Sequence, residues 1–254
     1  MEREIDRQLT YNKYKRKINL ILFLLIIPAI TMLGLFLVLY LNNIVSLVHL
    51  GTIYIPLMIV YLFMVLNMTP KLYYNKMYAN YARLLLEKPQ LLEVRNQLFT
   101  TSWIEKLKCD GYELVQEDMR HILLCKYYKK LPDIAQSDQT LVFLVIAKNK
   151  SFDFYGDEVD NGIQAFYMKH KQFDKIGKRI TLQFKKYDTI DEKATEEVET
   201  AILYQTGKQI LINLTFIYCN EKNSIFGLNP SKWYPNRYTY FAFTECKRIC
   251  DIKE

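Results

Sequence analysis

Lys148, Asp153, Asp188 and Glu221 are the polar residues whose places in the chain could bring chemistry together. Three carboxylates and an ammonium meeting at one point could hold a divalent cation, the arrangement of a metal-dependent hydrolase or nuclease. A second group, Asp153, Asp157, Glu158 and Asp160, crowds carboxylates into one short stretch and could do the same. A plainer account covers it. Asp157, Glu158 and Asp160 open a helical pattern that closes on Lys169, Lys171 and Lys175, the charge polarity that the helix macrodipole rewards without any ligand. Cys246 and Cys250 fall one helical turn apart, but the chain has no Cys-x-x-Cys pair, and His49, His121 and His170 are scattered. The five cysteines read as reduced thiols, and no catalytic set, cofactor site or metal site is assigned. Walker A, dinucleotide-binding glycine, His-Glu-x-x-His and Gly-x-Ser-x-Gly patterns are all missing.

The four residues matter because of the elements that precede them. Leu141 to Ala147 is an unbroken apolar run, as expected of a strand buried on both faces. Ile180, Leu182 and Phe184 alternate with polar residues as in a half-buried strand, and Ile210 to Cys219 is again nearly all apolar. Lys148, Lys150 and Asp153 follow the first of these strands, Asp188 the second, and Glu221 with Lys222 the third. Ligands of open α/β sheets sit off such carboxyl ends, so a polar crevice is expected there if the strands are neighbours.

Val159, Ile163, Phe166, His170 and Phe173 share one helical face, and Ala194, Val198, Ala201 and Ile202 share another. Thr189 with Glu192 suits a capping box at the start of the second helix, and Gly207 can end it. Tyr112 to Gln116 and Ile122 to Tyr128 read as a hairpin. Arg237 to Thr244 fits a strand or a helix equally well. The expected order is β-β-β-α-β-α-β, a mixed α/β sheet with flanking helices over residues 101–254.

Within it, helix, three strands, helix and strand over residues 102–187 resemble the restriction-endonuclease-like fold. That family's metal signature is an acid on the second strand and acid-x-Lys on the third. Lys148 stands at the lysine position, Ile146 at that of the acid, and Ile122 to Tyr128 offers no acid. The resemblance therefore implies a relative without the nuclease chemistry.

The rest of the chain is of different material. Ile18 to Pro70 runs 53 residues without a charge, and Asn42 and Asn43 divide it into apolar stretches at 18–41 and 44–68. A 24-residue helix of that kind is about 36 Å long, against a hydrocarbon core of about 30 Å, so the pair reads as a two-helix transmembrane hairpin. Arg3, Arg7, Lys13, Lys15, Arg16 and Lys17 precede it, and Lys71, Lys76, Arg83 and Lys88 follow it. The turn between the stretches carries no Lys or Arg, which places both termini in the cytoplasm and the protein in the cell membrane. Residues 131–254 hold 17 basic and 17 acidic side chains, so the net charge of +7 comes entirely from the membrane-proximal parts. Such a surplus favours anionic lipid headgroups over nucleic acid.

Residues 69–100 read as a juxtamembrane helical connector. Met77, Leu84, Leu91 and Leu98 recur every seven residues with Tyr78, Leu85, Leu92 and Phe99 beside them. That stripe must be covered by a second copy, by lipid or by the protein's own body, and Pro89 is expected to break or kink the helix. The sequence thus describes a basic tail (1–17), a hairpin anchor, a connector and a cytoplasmic α/β domain. The expected role is recognition or scaffolding, through a protein partner, self-association of the hairpin or connector, or a small ligand. The alternatives are the tethered hydrolase above and an accessory subunit of a larger membrane complex.

Overall fold

A computed structural model describes residues 2–42, 47–132, 134, 138–207, 209–230 and 233–253. It divides into two compact units, residues 1–83 and 84–254.

The first unit is a helical hairpin of α1 (Glu2–Leu41) and α2 (Leu47–Leu84). Both are long and apolar enough to cross a membrane. The two helices run antiparallel: Tyr61 Oη donates to the Leu25 carbonyl at 3.0 Å, Tyr54 Oη to that of Met32 at 3.0 Å, and the rings of Tyr14 and Tyr78 stack at 5.1 Å. Large apolar side chains point outward along both, among them Leu20, Phe23, Ile30, Ile55, Val60 and Phe63. A two-helix unit in water would leave these unburied, whereas hydrocarbon solvates them. Each helix continues past its apolar stretch, so the basic flanks at Lys13–Lys17 and Lys71–Lys76 are helical. Pro28, Pro56 and Pro70 lie inside helices that run on through them. Asn42 closes α1 by donating its backbone and side-chain N–H groups to the Val38 carbonyl, at 3.2 and 2.8 Å. Asn43 lies outside the described residues.

The second unit is built on one mixed sheet. Its elements are β1 (Gln90–Glu93), α3 (Thr101–Cys109), β2 (Glu113–Glu117), β3 (His121–Tyr128), β4 (Thr140–Ala147), α4 (Asp157–Lys169), β5 (Lys178–Tyr187), α5 (Glu192–Glu199), β6 (Ile202–Thr206), β7 (Gln209–Cys219), β8 (Ser224–Gly227) and α6 (Arg237–Cys250). The strand order is β1-β8-β7-β5-β4-β3-β2, with β6 pairing β7. β4, β5 and β7 run parallel; the other pairings are antiparallel. On one face Leu123, Phe143 and Val145 pack with Val159, Ile163 and Phe166 of α4, which approaches so closely that a Cβ on Gly162 would sit 2.9 Å from Leu123. On the other, Trp103 of α3 meets Phe184 at 5.9 Å, and Phe243 of α6 meets Phe216 at 6.2 Å. The hairpin β2–β3 and the fully buried β4 are as the sequence indicates. The order α3-β2-β3-β4-α4-β5 is the order of elements that the sequence indicates.

Several expectations change. The helical connector ends at Leu84, ahead of Pro89: residues Gln90–Glu93 form β1, paired with β8, and Pro89 lacks a helix N–H donor and disfavours helical backbone at Lys88. Leu84 and Leu98 are buried in the α/β unit, which therefore begins near residue 84 and not at 101. β5 is not half-buried. It is central, and Thr181, Gln183 and Lys185 are as buried as the apolar residues between them. The second helix is capped by Asp191, whose Oδ1 accepts from the Ala194 N–H at 2.7 Å, and it stops at Glu199. Ile202 then belongs to β6, and Gly207, at φ +56°, supplies the left-handed turn of the β6–β7 hairpin. Arg237 to Thr244 is helical. Asn236 caps it by accepting from the Thr239 N–H at 2.8 Å, and Tyr238, Phe241, Ala242, Cys246 and Ile249 form its buried face.

Candidate functional site

Because β4, β5 and β7 are parallel neighbours, Lys148, Asp188 and Glu221 follow strand ends at one edge of the sheet. The side chains of Lys148 and Asp188 are engaged locally. Lys148 Nζ donates to Glu117 Oε1 at 2.9 Å and to the Asp118 carbonyl at 2.6 Å, and its backbone N–H donates to the Arg120 carbonyl at 2.8 Å. It thereby staples the end of β4 to the β2–β3 turn. Asp188 accepts from Lys150 Nζ at 2.7 Å, and that hydrogen bond and charge hold its carboxyl below the usual range. Asp153 Oδ1 accepts from the Tyr155 N–H at 2.9 Å, closing a turn before α4. Glu221 lies in the β7–β8 turn. The structure thus pairs Lys148 with Glu117 and Lys150 with Asp188. Among the described residues no three His, Cys, Asp or Glu side chains gather as a metal site requires.

The acidic start of α4 meets cations across the sheet. Glu158 pairs with Arg120, and Asp160 lies 4.0 Å from Arg179. Asp157, Glu158 and Asp160 all fall in the first turn, so macrodipole and ion pairs together account for this cluster. Cys246 and Cys250 are buried in α6, and burial raises the Cys246 thiol well above its ordinary range.

Two polar clusters have no counterpart in the sequence reading. On β5, Gln183 Oε1 accepts from Thr215 Oγ1 at 2.8 Å. Two residues on, the buried Lys185 ammonium donates to the Phe152 carbonyl at 2.7 Å and to Glu197 Oε1 at 2.8 Å, beneath the ring of Phe154. Tyr187 Oη donates to the same oxygen at 3.1 Å, and burial followed by the Glu197 charge pushes the phenol up. The alternation Thr181-x-Gln183-x-Lys185 is the only sign of this cluster in the sequence, and it looks the same as a solvent-facing edge.

The other cluster centres on Glu245 of α6, 2% exposed. Its Oε1 accepts from Tyr112 Oη at 2.6 Å, Tyr128 Oη at 2.9 Å and Arg248 Nη2 at 2.8 Å, while Oε2 accepts from Arg248 Nε at 2.9 Å. Arg248 Nη1 reaches Asp110 Oδ2 at 2.7 Å, and Lys126 Nζ donates to the Asp110 carbonyl at 2.6 Å. Burial works against the Glu245 charge, but the hydrogen bonds from Arg248, Tyr112 and Tyr128 outweigh it and hold the carboxyl below its ordinary value. Burial and the Glu245 charge raise both phenols. A general base working near neutral pH needs a raised carboxyl pKa, so this carboxylate is set up as a fixed anion joining α6 to the sheet and not as a proton acceptor.

No family model matches the chain, and no curated protein or solved structure is significantly similar to it.

Proposed function

We propose that the chain is a membrane-anchored recognition protein: a transmembrane hairpin with both termini in the cytoplasm, carrying an α/β domain that binds a protein partner or small ligand at the inner face of the cell membrane. The observation that carries this reading is the surface of the hairpin unit, apolar on nearly every side over its two spans and basic on the helical continuations beyond them. Basic side chains there are attracted to anionic headgroups by about 1 kcal/mol each. The engagement of Lys148 and Asp188 in pairs that join loops of the domain supports a structural part for those residues.

Two experiments test the two halves. After alkaline extraction the full chain should remain in the membrane pellet, while a chain beginning at Leu84 should be released; release of the full chain would remove the anchor. For the domain, the melting temperature of the full chain in chelator should be unchanged, to within about 1 °C, when Mg²⁺ or Mn²⁺ is added at about 1 mM. A rise of several degrees that Asp153→Asn abolishes would favour the tethered hydrolase instead.

A further inference from the structure

The end of α6 borders an open groove of about 470 Å³ within the α/β unit. Arg95, Tyr234, Tyr240, Lys247, Arg248 and Asp251 supply its polar lining. Its charged side chains differ in their partners. Arg248 is fixed by Glu245 and Asp110, and Asp251 Oδ2 accepts from Asn96 Nδ2 at 2.8 Å. Among the described residues Arg95 and Lys247 are drawn into no ion pair.

The backbone that carries the two cations is pinned. The Arg95 N–H donates to the Asp251 carbonyl at 3.0 Å, and Val94, beside it, bridges to Ile252, so residue 95 is tied to a segment more than 150 residues away in the chain. Two of the carbonyls at the end of α6, which would repel an anion, already accept: Lys247 O from the Ile252 N–H at 3.1 Å and Arg248 O from the Asp251 N–H at 3.3 Å. Asp251 takes a left-handed backbone, φ +54°, to make that closure. Tyr234 and Tyr240 meet edge to face at 5.0 Å, and Tyr240 is 43% exposed, leaving aromatic surface beside the two cations.

We propose that this groove binds a phosphate monoester carried on a ring-bearing organic group, its phosphate held by Arg95 and Lys247 and its ring packed on Tyr240. A phosphate monoester carries about −1.5 to −2 charge at neutral pH, which two cations neutralise, and a guanidinium can bind it through two parallel hydrogen bonds. The proposal deepens the small-ligand branch of the recognition reading; anchoring is tested separately by extraction, so either can fail without the other. The phosphate could sit on a soluble nucleotide or on a lipid headgroup, and the test separates these.

The full chain, purified in a zwitterionic detergent, is titrated by calorimetry with adenosine 5′-monophosphate, with inorganic phosphate, and with a water-soluble short-chain phosphatidylinositol 4-phosphate. At least one of the two organic phosphates should bind with a Kd below about 1 mM, and Arg95→Gln and Lys247→Gln should each weaken it about tenfold. Tyr240→Leu should weaken the organic phosphate and leave inorganic phosphate unchanged. Lys171→Gln, which removes an exposed cation elsewhere, should change nothing. Arg95 is exposed, so its variant reports on the groove even if Lys247→Gln lowers the melting temperature. Nucleotide binding alone assigns a soluble ligand, and phosphoinositide binding alone a headgroup. Binding of neither, binding of inorganic phosphate alone, or equal binding by wild type and Arg95→Gln overturns the proposal.

Discussion

Replacing Glu245 with Gln keeps the shape of the buried side chain and removes only its charge. The amide oxygen can stand where Oε1 accepts from Tyr112 and Tyr128, but the amide nitrogen then faces Arg248 Nε, and two donors oppose each other. Two hydrogen bonds lose the assistance of a charge, about 1 kcal/mol each. The Arg248 contact adds little, since that side chain is 42% exposed and can turn to water while keeping Asp110. Relief of the carboxylate's burial offsets part of the loss. The lowered pKa of Glu245 nevertheless means that its surroundings favour the anion over the neutral acid, so the net effect is destabilising. We expect about 2 kcal/mol, and for a unit of this size a drop in melting temperature of about 4–8 °C. Urea titration of the full chain in nanodiscs, followed by the fluorescence of buried Trp103, whose Nε1 donates to the Ile249 carbonyl of the same helix, reads the loss. A double-mutant cycle with Tyr112→Phe should show coupling of about 1 kcal/mol. A Glu245→Gln cost under about 0.5 kcal/mol with additive behaviour in the cycle would refute the reasoning.

The same carboxylate sets a pH dependence. Its folded pKa lies below the ordinary 4.5, so its contribution is present above that pH and is lost as pH falls through the folded value. The stability difference between wild type and Glu245→Gln should therefore shrink below about pH 4.5 in acid titrations followed by circular dichroism. Lys185→Met leaves Glu197 without its ammonium and should cost about 2–4 kcal/mol in urea unfolding, less than a fully buried pair because Glu197 is partly exposed; adding Glu197→Gln should recover at least half. A chain beginning at Leu84 should be soluble and unfold in one transition. One beginning at Thr101 loses β1 and the buried Leu84, Val94 and Leu98, and should aggregate or melt at least about 10 °C lower.

What the sequence could and could not reveal follows from what burial does to composition. Leu141 to Ala147 is buried on both faces and is apolar throughout, so its place in the sheet centre is legible. β5 is equally central, yet Thr181, Gln183 and Lys185 look like a solvent-facing row, because the partners of Gln183 (Thr215) and of Lys185 (Phe152 and Glu197) lie elsewhere in the chain. In the sequence a buried polar side chain with a distant partner looks the same as an exposed one, and such partners depend on strand order. The heptad of Met77, Leu84, Leu91 and Leu98 breaks up for a related reason: Pro89 divides it, and Met77 and Leu84 lie in α2, Leu91 in β1 and Leu98 in the loop before α3. For the four candidate residues, position at the strand ends was legible, but the ion pairs of Lys148 with Glu117 and Lys150 with Asp188 needed the fold. Glu245 lies just past the stretch that fits a strand or a helix, and its donors Tyr112 and Tyr128 come from more than 100 residues upstream.

The central claim is the anchored hairpin with a cytoplasmic domain, and the chain supplies its own internal reporter. Cys109 is exposed on the α/β unit, and Cys125, Cys219, Cys246 and Cys250 are buried. In intact cells expressing an Asn42→Cys variant, a membrane-impermeant maleimide should label residue 42, at the end of α1, and should reach Cys109 only after permeabilisation. Labelling of Cys109 in intact cells, with residue 42 protected until the membrane is opened, would contradict the account.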